Sequence, residues 1–340
     1  MELIDGYDHQ PGVHCGATAI RNVTRHYGWQ YTEATSFGIG GGPAFVQYAD
    51  PGTDWGPIRA SPVWLERAFF ERTGIPHLYR SGDDFAMAWE NVAARVEDDD
   101  PVLVFLDPES LPYLSADAAH VPPHVAVVVG YEDEMVFVSD AAVDDRQELS
   151  RETLATAWSH DRYLSMENEY LVVTRSAKTE EGTDAAAAGL RQAATYMLDP
   201  LHVKRNARGP GEEGLAALRD FADSLGLWSG LEDPEPPVRA AKRAIDEHGD
   251  GTAFRALFAE SLAELGRRTG VPIDLSERME RVAREWGTVA DRLDDILDED
   301  GQRAATFEEA ASVVGGIADR EEAIFEELAA ELGQVEDQQA

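Results

Sequence analysis

The sequence predicts two units in succession, an α+β domain over residues 6–174 and an all-α domain over residues 189–335, with a linker at 175–188. Three observations carry the α+β and all-α division. Apolar runs of strand length stand at 102–106 and 125–129, unbroken as in strands buried on both faces. Residues 14–28, HCGATAIRNVTRHYG, hold the only cysteine and repeat their apolar positions at helical spacing. Beyond Gly189 helical spacing recurs with Gly/Pro breaks, and no run reads as a strand.

In the first helix Ala19, Ile20, Val23 and Tyr27 share one side, and Gly28 ends it. Cys15 falls in its first turn, where unpaired N–H groups and the positive end of the helix dipole favour thiolate. That suits a nucleophile; a lone cysteine serving as inert core is the competing reading. Next comes YTEATSFGIGGGPAFVQY. No buried strand precedes its glycines and no Gly-Lys-Ser/Thr follows, so a phosphate cradle does not fit. A backbone passing close to a ligand or to the Cys15 helix does, which makes Gly40, Gly41 and Gly42 substrate-binding candidates.

Ser61-Pro62 opens a helix with Trp64, Leu65, Ala68 and Phe69 on its apolar face, ended by Gly74. Residues 75–80 read as a short strand and 83–96 as a helix bearing Phe85, Trp89 and Val92. Asp98, Asp99 and Asp100 read as a solvated turn. Glu132, Asp133 and Glu134 turn strand 125–129 back into strand 135–139, a hairpin. Ser150 caps a short helix with Leu154 and Trp158, and 170–173 is a last strand. A nucleophile helix followed by a mainly antiparallel sheet is an α+β layout. In the second half helical spacing marks 215–225, 253–265, 279–293 and 310–332, with a break at 233–237.

The chain of 340 residues is long enough for two cores. Its 65 acidic against 29 basic residues leave a net charge of −36, which argues against nucleic acid or an anionic membrane as partner. Such self-repulsion points to a salt-rich cytoplasm, where screening is short-ranged, and so to a halophilic archaeon. An acidic mesophile protein is the alternative. The start, MELIDGYDHQ, has neither the basic nor the apolar region of a signal peptide, and no stretch approaches the ~18 apolar residues of a membrane span. A cytoplasmic, disulfide-free protein is expected.

A cysteine nucleophile needs a base and a third group that orients the base. His124 stands at the mouth of strand 125–129 and Asp140 directly follows strand 135–139, so a tight hairpin makes them neighbours. An ordinary surface histidine and a strand-end aspartate are the competing reading. Metal binding through His9, His14, Cys15, His120 and His124 is not expected. Val-Pro-Pro between His120 and His124 supplies no helical ligand register.

The segments HCGATAIRN, PPHVAVVVGYED and VFVSD resemble the papain-like cysteine fold, especially its double-glycine leader peptidases. The closer resemblance is to the butirosin biosynthesis protein H N-terminal domain family, in the His-Cys-Gly start, TEATSFGIGGG and the aromatic segment after it. Residues 251–266, GTAFRALFAESLAELG, resemble that family's helical companion domain of unknown function. The resemblance implies acyl transfer from a carrier-protein thioester to an amine in specialised metabolism. Cys15 would accept the acyl group, His124 would be base and then acid, and Asp140 would orient it. Papain-like enzymes usually place an oxyanion-hole glutamine six residues before the cysteine. Here that position is His9, which leaves Gln10 as a candidate and the Cys15 N–H as an alternative donor.

His14, beside the nucleophile, reads equally as a structural residue and as a further substrate-binding candidate. Another such candidate is Arg255, which interrupts an apolar stripe with Phe254 and Phe258 and is expected to face the Cys15 cleft as part of a lid. Pairing of Arg255 with a nearby carboxylate is the competing reading. No resident cofactor is expected. The donor implied is a thioester, including a phosphopantetheine thioester; the partners implied are a small-molecule amine and an acyl carrier protein. Two other classes stay open. A peptidase or amidohydrolase would use the same three residues with water as acceptor, and a non-catalytic binding module would use none of them.

Overall fold

The computed structural model describes residues 2–48, 58–114, 123–160, 166–174, 183–200, 211–298 and 303–339. The chain forms two compact units. One comprises Met1–Ser36 and Trp64–Gly182, the other Phe37–Val63 and Thr183–Ala340. The first is α+β and the second mostly helical.

The first unit is built on a seven-stranded antiparallel sheet. Its main path runs β4 (His77–Arg80), β11 (Tyr170–Val173), β5 (Val102–Leu106), β6 (His124–Glu132), β7 (Met135–Asp140) and β8 (Gln147–Ser150). The seventh, β1 (Glu2–Leu3), pairs with the far end of β6. A short ribbon, β9 (Ser159–His160) with β10 (Met166–Glu167), lies apart from it. Every residue of β5 and the first seven of β6 are buried, as their unbroken apolar runs require. Helix α1 (Cys15–His26) packs on β6 and β7 and against α3 (Leu65–Thr73). Helix α4 (Phe85–Glu97) packs on β5 and β6, and α5 (Arg151–Trp158) on β5, β7 and β8.

The expected boundary at 6–174 is corrected by residues 37–63, which belong to the second unit. The division falls inside α2 (Glu33–Gly40). Two strands explain it. β2 (Val46–Tyr48) pairs with β3 (Ile58–Arg59) on one side and with β12 (Gly211–Glu213) on the other. Next to β2, Phe45 stacks on Trp286 and tilts against Phe221. The expectation of no strand after Gly189 is corrected by β12, whose GEE sequence has no alternation to betray it.

The expected linker is corrected as well. Residues 175–182 lie outside the described residues, and 183–188 open α6 (Thr183–Leu198). The four alanines at 185–188 that read as linker are the best helix formers. The other helices of this unit are α7 (Gly214–Trp228), α8 (Glu235–Asp246), α9 (Arg255–Thr269), α10 (Ile273–Asp298) and α11 (Arg303–Gln339). Prolines near the start of α8 turned an apparent break at 233–237 into a helix N-terminus. Among the described residues no helix is long and apolar enough to cross a membrane.

Candidate active site

The hairpin β6–β7 sets two of the three expected residues. Its turn is Asp133-Glu134, and pairing begins Glu132↔Met135, Tyr131↔Val136, Gly130↔Phe137. The register then shifts at Val129, giving Val128↔Val138, Val127↔Ser139 and Ala126↔Asp140. Without that bulge Asp140 would stand opposite Val127. Side chains alternate along a strand, so it would emerge on the face away from His124. With the bulge it shares Ala126's face, two residues from His124. The Val129 carbonyl accepts from the Ile4 N–H at 3.0 Å, which ties the chain start to the bulge.

The resulting contact is direct: His124 Nε2 lies 2.6 Å from Asp140 Oδ2, both side chains almost fully buried. Asp140 has two further donors. The Tyr113 hydroxyl reaches Oδ2 at 2.7 Å and the Ala142 N–H reaches Oδ1 at 2.9 Å. Burial works against charge on His124, but the Asp140 carboxylate, and then the nearby Cys15, raise its pKa to about 10. Burial likewise pushes Asp140 up; the His124 charge, with the hydrogen bonds from His124, Ala142 and Tyr113, nonetheless holds it below the usual carboxylate range. Nε2 therefore donates to an ionised carboxylate, and Nδ1 is the ring nitrogen that Asp140 does not engage. Burial and the Asp140 charge drive the Tyr113 phenol upward, so it stays a donor.

Cys15 is the first residue of α1 and is half-exposed. His14 is the N-cap: its Nδ1 accepts from the Ala17 N–H at 3.1 Å and its carbonyl from the Thr18 N–H at 2.9 Å. The N–H groups of Cys15 and Gly16 have no i−4 acceptor within the helix and stand beside the sulfur. Gly16 is constrained by contact. A Cβ there would come within 1.7 Å of Oε1 of Glu66, a buried carboxylate on α3.

The structure thus brings His124 and Asp140 into contact, with Cys15 near enough to the imidazole to act on its pKa. His14 is buried and serves as the helix cap, a correction to its reading as a substrate contact. Gln10 gives its amide to Asp8 Oδ2 at 3.0 Å, while Arg21 and Asn22 hold its carbonyl. His9 is spent on β7 and the loop after it, Nδ1 on Ser139 Oγ at 2.7 Å and Nε2 on the Val143 carbonyl at 3.0 Å. His120 lies outside the described residues. Among those described, no group of three or more His, Cys, Asp or Glu could hold a metal ion.

The glycine-rich candidates are corrected too. Gly40 ends α2, the Gly41 N–H bonds the Gly38 carbonyl, and the Gly42 N–H bonds the Phe37 carbonyl. All three are buried, and a Cβ on Gly42 would strike the Phe37 ring. The run closes a helix end, where free carbonyls need donors and Gly41 takes φ 91°. Arg255 is likewise no substrate contact: it is wholly buried in its own unit, forked onto Glu321 at 2.8 and 2.9 Å. Phe254 and Phe258 are buried beside it against Phe37 and Phe325. Tyr113, Gly16 and Glu66 had no sequence signal, because each matters through a contact made in space.

Residues 14–141 match the family model described as butirosin biosynthesis protein H, N-terminal. Residues 152–328, more than half of the chain, match that of a domain of unknown function, DUF4872. The chain belongs to this family. In this DUF4872 protein the N-terminal match spans Cys15, His124 and Asp140. No curated protein matches the chain. Among solved structures it is similar to a C39-like peptidase from Bacillus anthracis, at 13% identity and a TM-score of 0.37, over 52% of this chain and 98% of the other.

A group raised on folding adds stability that is complete below its unfolded pKa and is lost as pH rises through the folded value. For His124 that loss falls on the alkaline side, towards about 10. Asp140, held low, contributes above its unfolded pKa and loses the contribution as pH falls through its lowered one. The His124 ring resonances should therefore keep imidazolium shifts between roughly pH 6 and 8. A midpoint near the ordinary ~6.5 in an NMR titration would show that the pair does not hold its proton.

Proposed function

We propose that the chain is a cysteine-dependent acyltransferase that takes an acyl group from a thioester onto Cys15 and passes it to an amine. The observation that carries this is the buried 2.6 Å His124–Asp140 bond, with Cys15 near enough to the same imidazole to help raise its pKa. The proton of the Cys15–His124 pair rests on the imidazolium, and the Cys15 thiolate attacks the thioester carbonyl. Collapse breaks the donor C–S bond, and His124 returns the proton to the departing thiol. The amine then attacks the Cys15 thioester, giving up a proton through His124. The amide leaves, and the thiolate–imidazolium pair is restored. The first-turn N–H groups of α1 are suited to hold the oxyanion at both steps.

The family match supports a biosynthetic setting, in which a carrier-bound phosphopantetheine thioester is the donor and a small amine the acceptor. Hydrolysis differs only in the second step, where water replaces the amine. Intact-protein mass after incubation with simple acyl thioesters, at low and at molar salt, tests the first step. A gain of one acyl group is expected, abolished when Cys15, the only thiol, is alkylated beforehand. No gain refutes acyl transfer. An acyl group that clears to free acid at one rate with or without added amine would favour the hydrolase.

A further inference from the structure

We propose that Glu33 is a positioning residue for Cys15, holding the pre-nucleophile loop through hydrogen bonds to its backbone. The inference rests on the acyl-transfer reading of Cys15. Glu33 Oε1 accepts from two successive N–H groups, Val13 at 2.9 Å and His14 at 2.7 Å. The His14 peptide leads directly into Cys15. Its N–H is taken by Glu33, its carbonyl by Thr18 and its Nδ1 by Ala17, so both backbone groups of the residue before the sulfur are engaged.

The clasp is closed from the other side by Arg21, two turns along α1. Its Nη1 meets Glu33 Oε2 at 3.2 Å, and its Nη2 bonds the carbonyls of Gln10 and Pro11, each at 2.8 Å. Asn22 adds a second donor to the Gln10 carbonyl at 2.8 Å. Gly12 leaves room for the carboxylate: a Cβ there would lie 2.4 Å from Glu33 Oε2. The loop 10–14 is therefore fixed by acceptors and donors at nearly every peptide, and Glu33 supplies the bonds nearest the sulfur. Such a clasp serves to aim the Cys15 sulfur at His124 and the first N–H groups at the developing oxyanion. Misplacement by about 1 Å can cost about 10²-fold in rate.

The role assigned to Glu33 depends on where its oxygen sits and not on its charge. Glu33→Gln keeps an oxygen in place for both N–H groups and gives up only the Arg21 ion pair, its NH₂ then meeting Nη1; Glu33→Asp keeps the charge but withdraws it by one methylene. The full chain is compared for unfolding midpoint, for Cys15 alkylation by iodoacetamide, and for kcat and KM with an acyl thioester. Glu33→Asp should lower alkylation and kcat by about ten- to a hundredfold with KM little changed, and Glu33→Gln should stay within about fivefold of the unaltered protein. Aspartate within fivefold, or glutamine falling as far as aspartate, overturns the proposal. Should the aspartate variant not fold, Glu33→Gln decides by itself: a loss beyond fivefold in a folded protein overturns it, and retention supports it. Alkylation needs no thioester, so the two readings fail separately. The expected alkylation pattern in a protein that takes no acyl group would refute acyl transfer and leave the clasp standing.

Discussion

Asp140→Asn is expected to lower acylation of Cys15 by about 10²–10⁴-fold while leaving the fold intact, because it reverses a donor and an acceptor at the His124 ring. Asp140 Oδ2 takes the Nε2–H of His124 and the Tyr113 hydroxyl, and Oδ1 takes the Ala142 N–H. An asparagine has one oxygen to serve both sites. With its NH₂ towards His124, Nε2 must become an acceptor, the ring proton moves to Nδ1, and Nδ1 can no longer receive the thiol proton. With its NH₂ towards Ala142, two donors meet. The carboxylate charge that raises His124 is lost in both cases. Rates of acylation by a simple thioester, with circular dichroism as the control for folding, check the result. A variant within tenfold of the unaltered protein would show that Asp140 does not orient the base.

Arg255→Met is expected to destabilise the helical unit by about 3–5 kcal/mol, the range for stranding one member of a buried ion pair. Arg255 and Glu321 have no exposed surface. The guanidinium meets both carboxylate oxygens of Glu321, and its Nη1 also donates to the carbonyls of Ala44 at 3.1 Å and Ala253 at 2.9 Å. It lies 5.8 Å from the centre of the Phe45 ring and 5.7 Å from that of Trp286. Methionine fills similar space but leaves the Glu321 charge and two carbonyls without these donors. Denaturant unfolding of the full chain measures the loss. The double variant Arg255→Met/Glu321→Leu should recover much of it, since no lone charge remains. A single variant costing under about 1 kcal/mol, the scale of an exposed pair, would show that Arg255 is not buried as described.

Much of the first unit was legible because its elements are local patterns. Val102–Leu106 and Tyr170–Val173 read as strands from continuous apolar runs, and α1 from its apolar spacing and the glycine at 28. The order Cys15, His124, Asp140 was legible as a chemical set, with His124 opening one strand and Asp140 closing the next. Long apolar periodicity likewise marked α7, α9, α10 and α11 as helices. In each case the information lies within a few residues of where it is used.

Tertiary structure alone decided the face, the partner and the boundary. Asp140 reaches His124 because one extra residue at Val129 changes the register, and nothing in the run HVAVVVGYE states which residue goes unpaired. Arg255 had the same appearance as a binding residue or as half of an ion pair until Glu321, 66 positions away, was seen against it. Residues 37–63 left the first unit because β2 pairs with β12, a long-range pairing invisible to any local period. Helical and strand propensities are properties of short windows, whereas registers, ion-pair partners and close contacts depend on which distant segments the packed core brings together. Local patterns limit which residues can do the chemistry and which segments can be helix or strand; packing selects which of those residues meet.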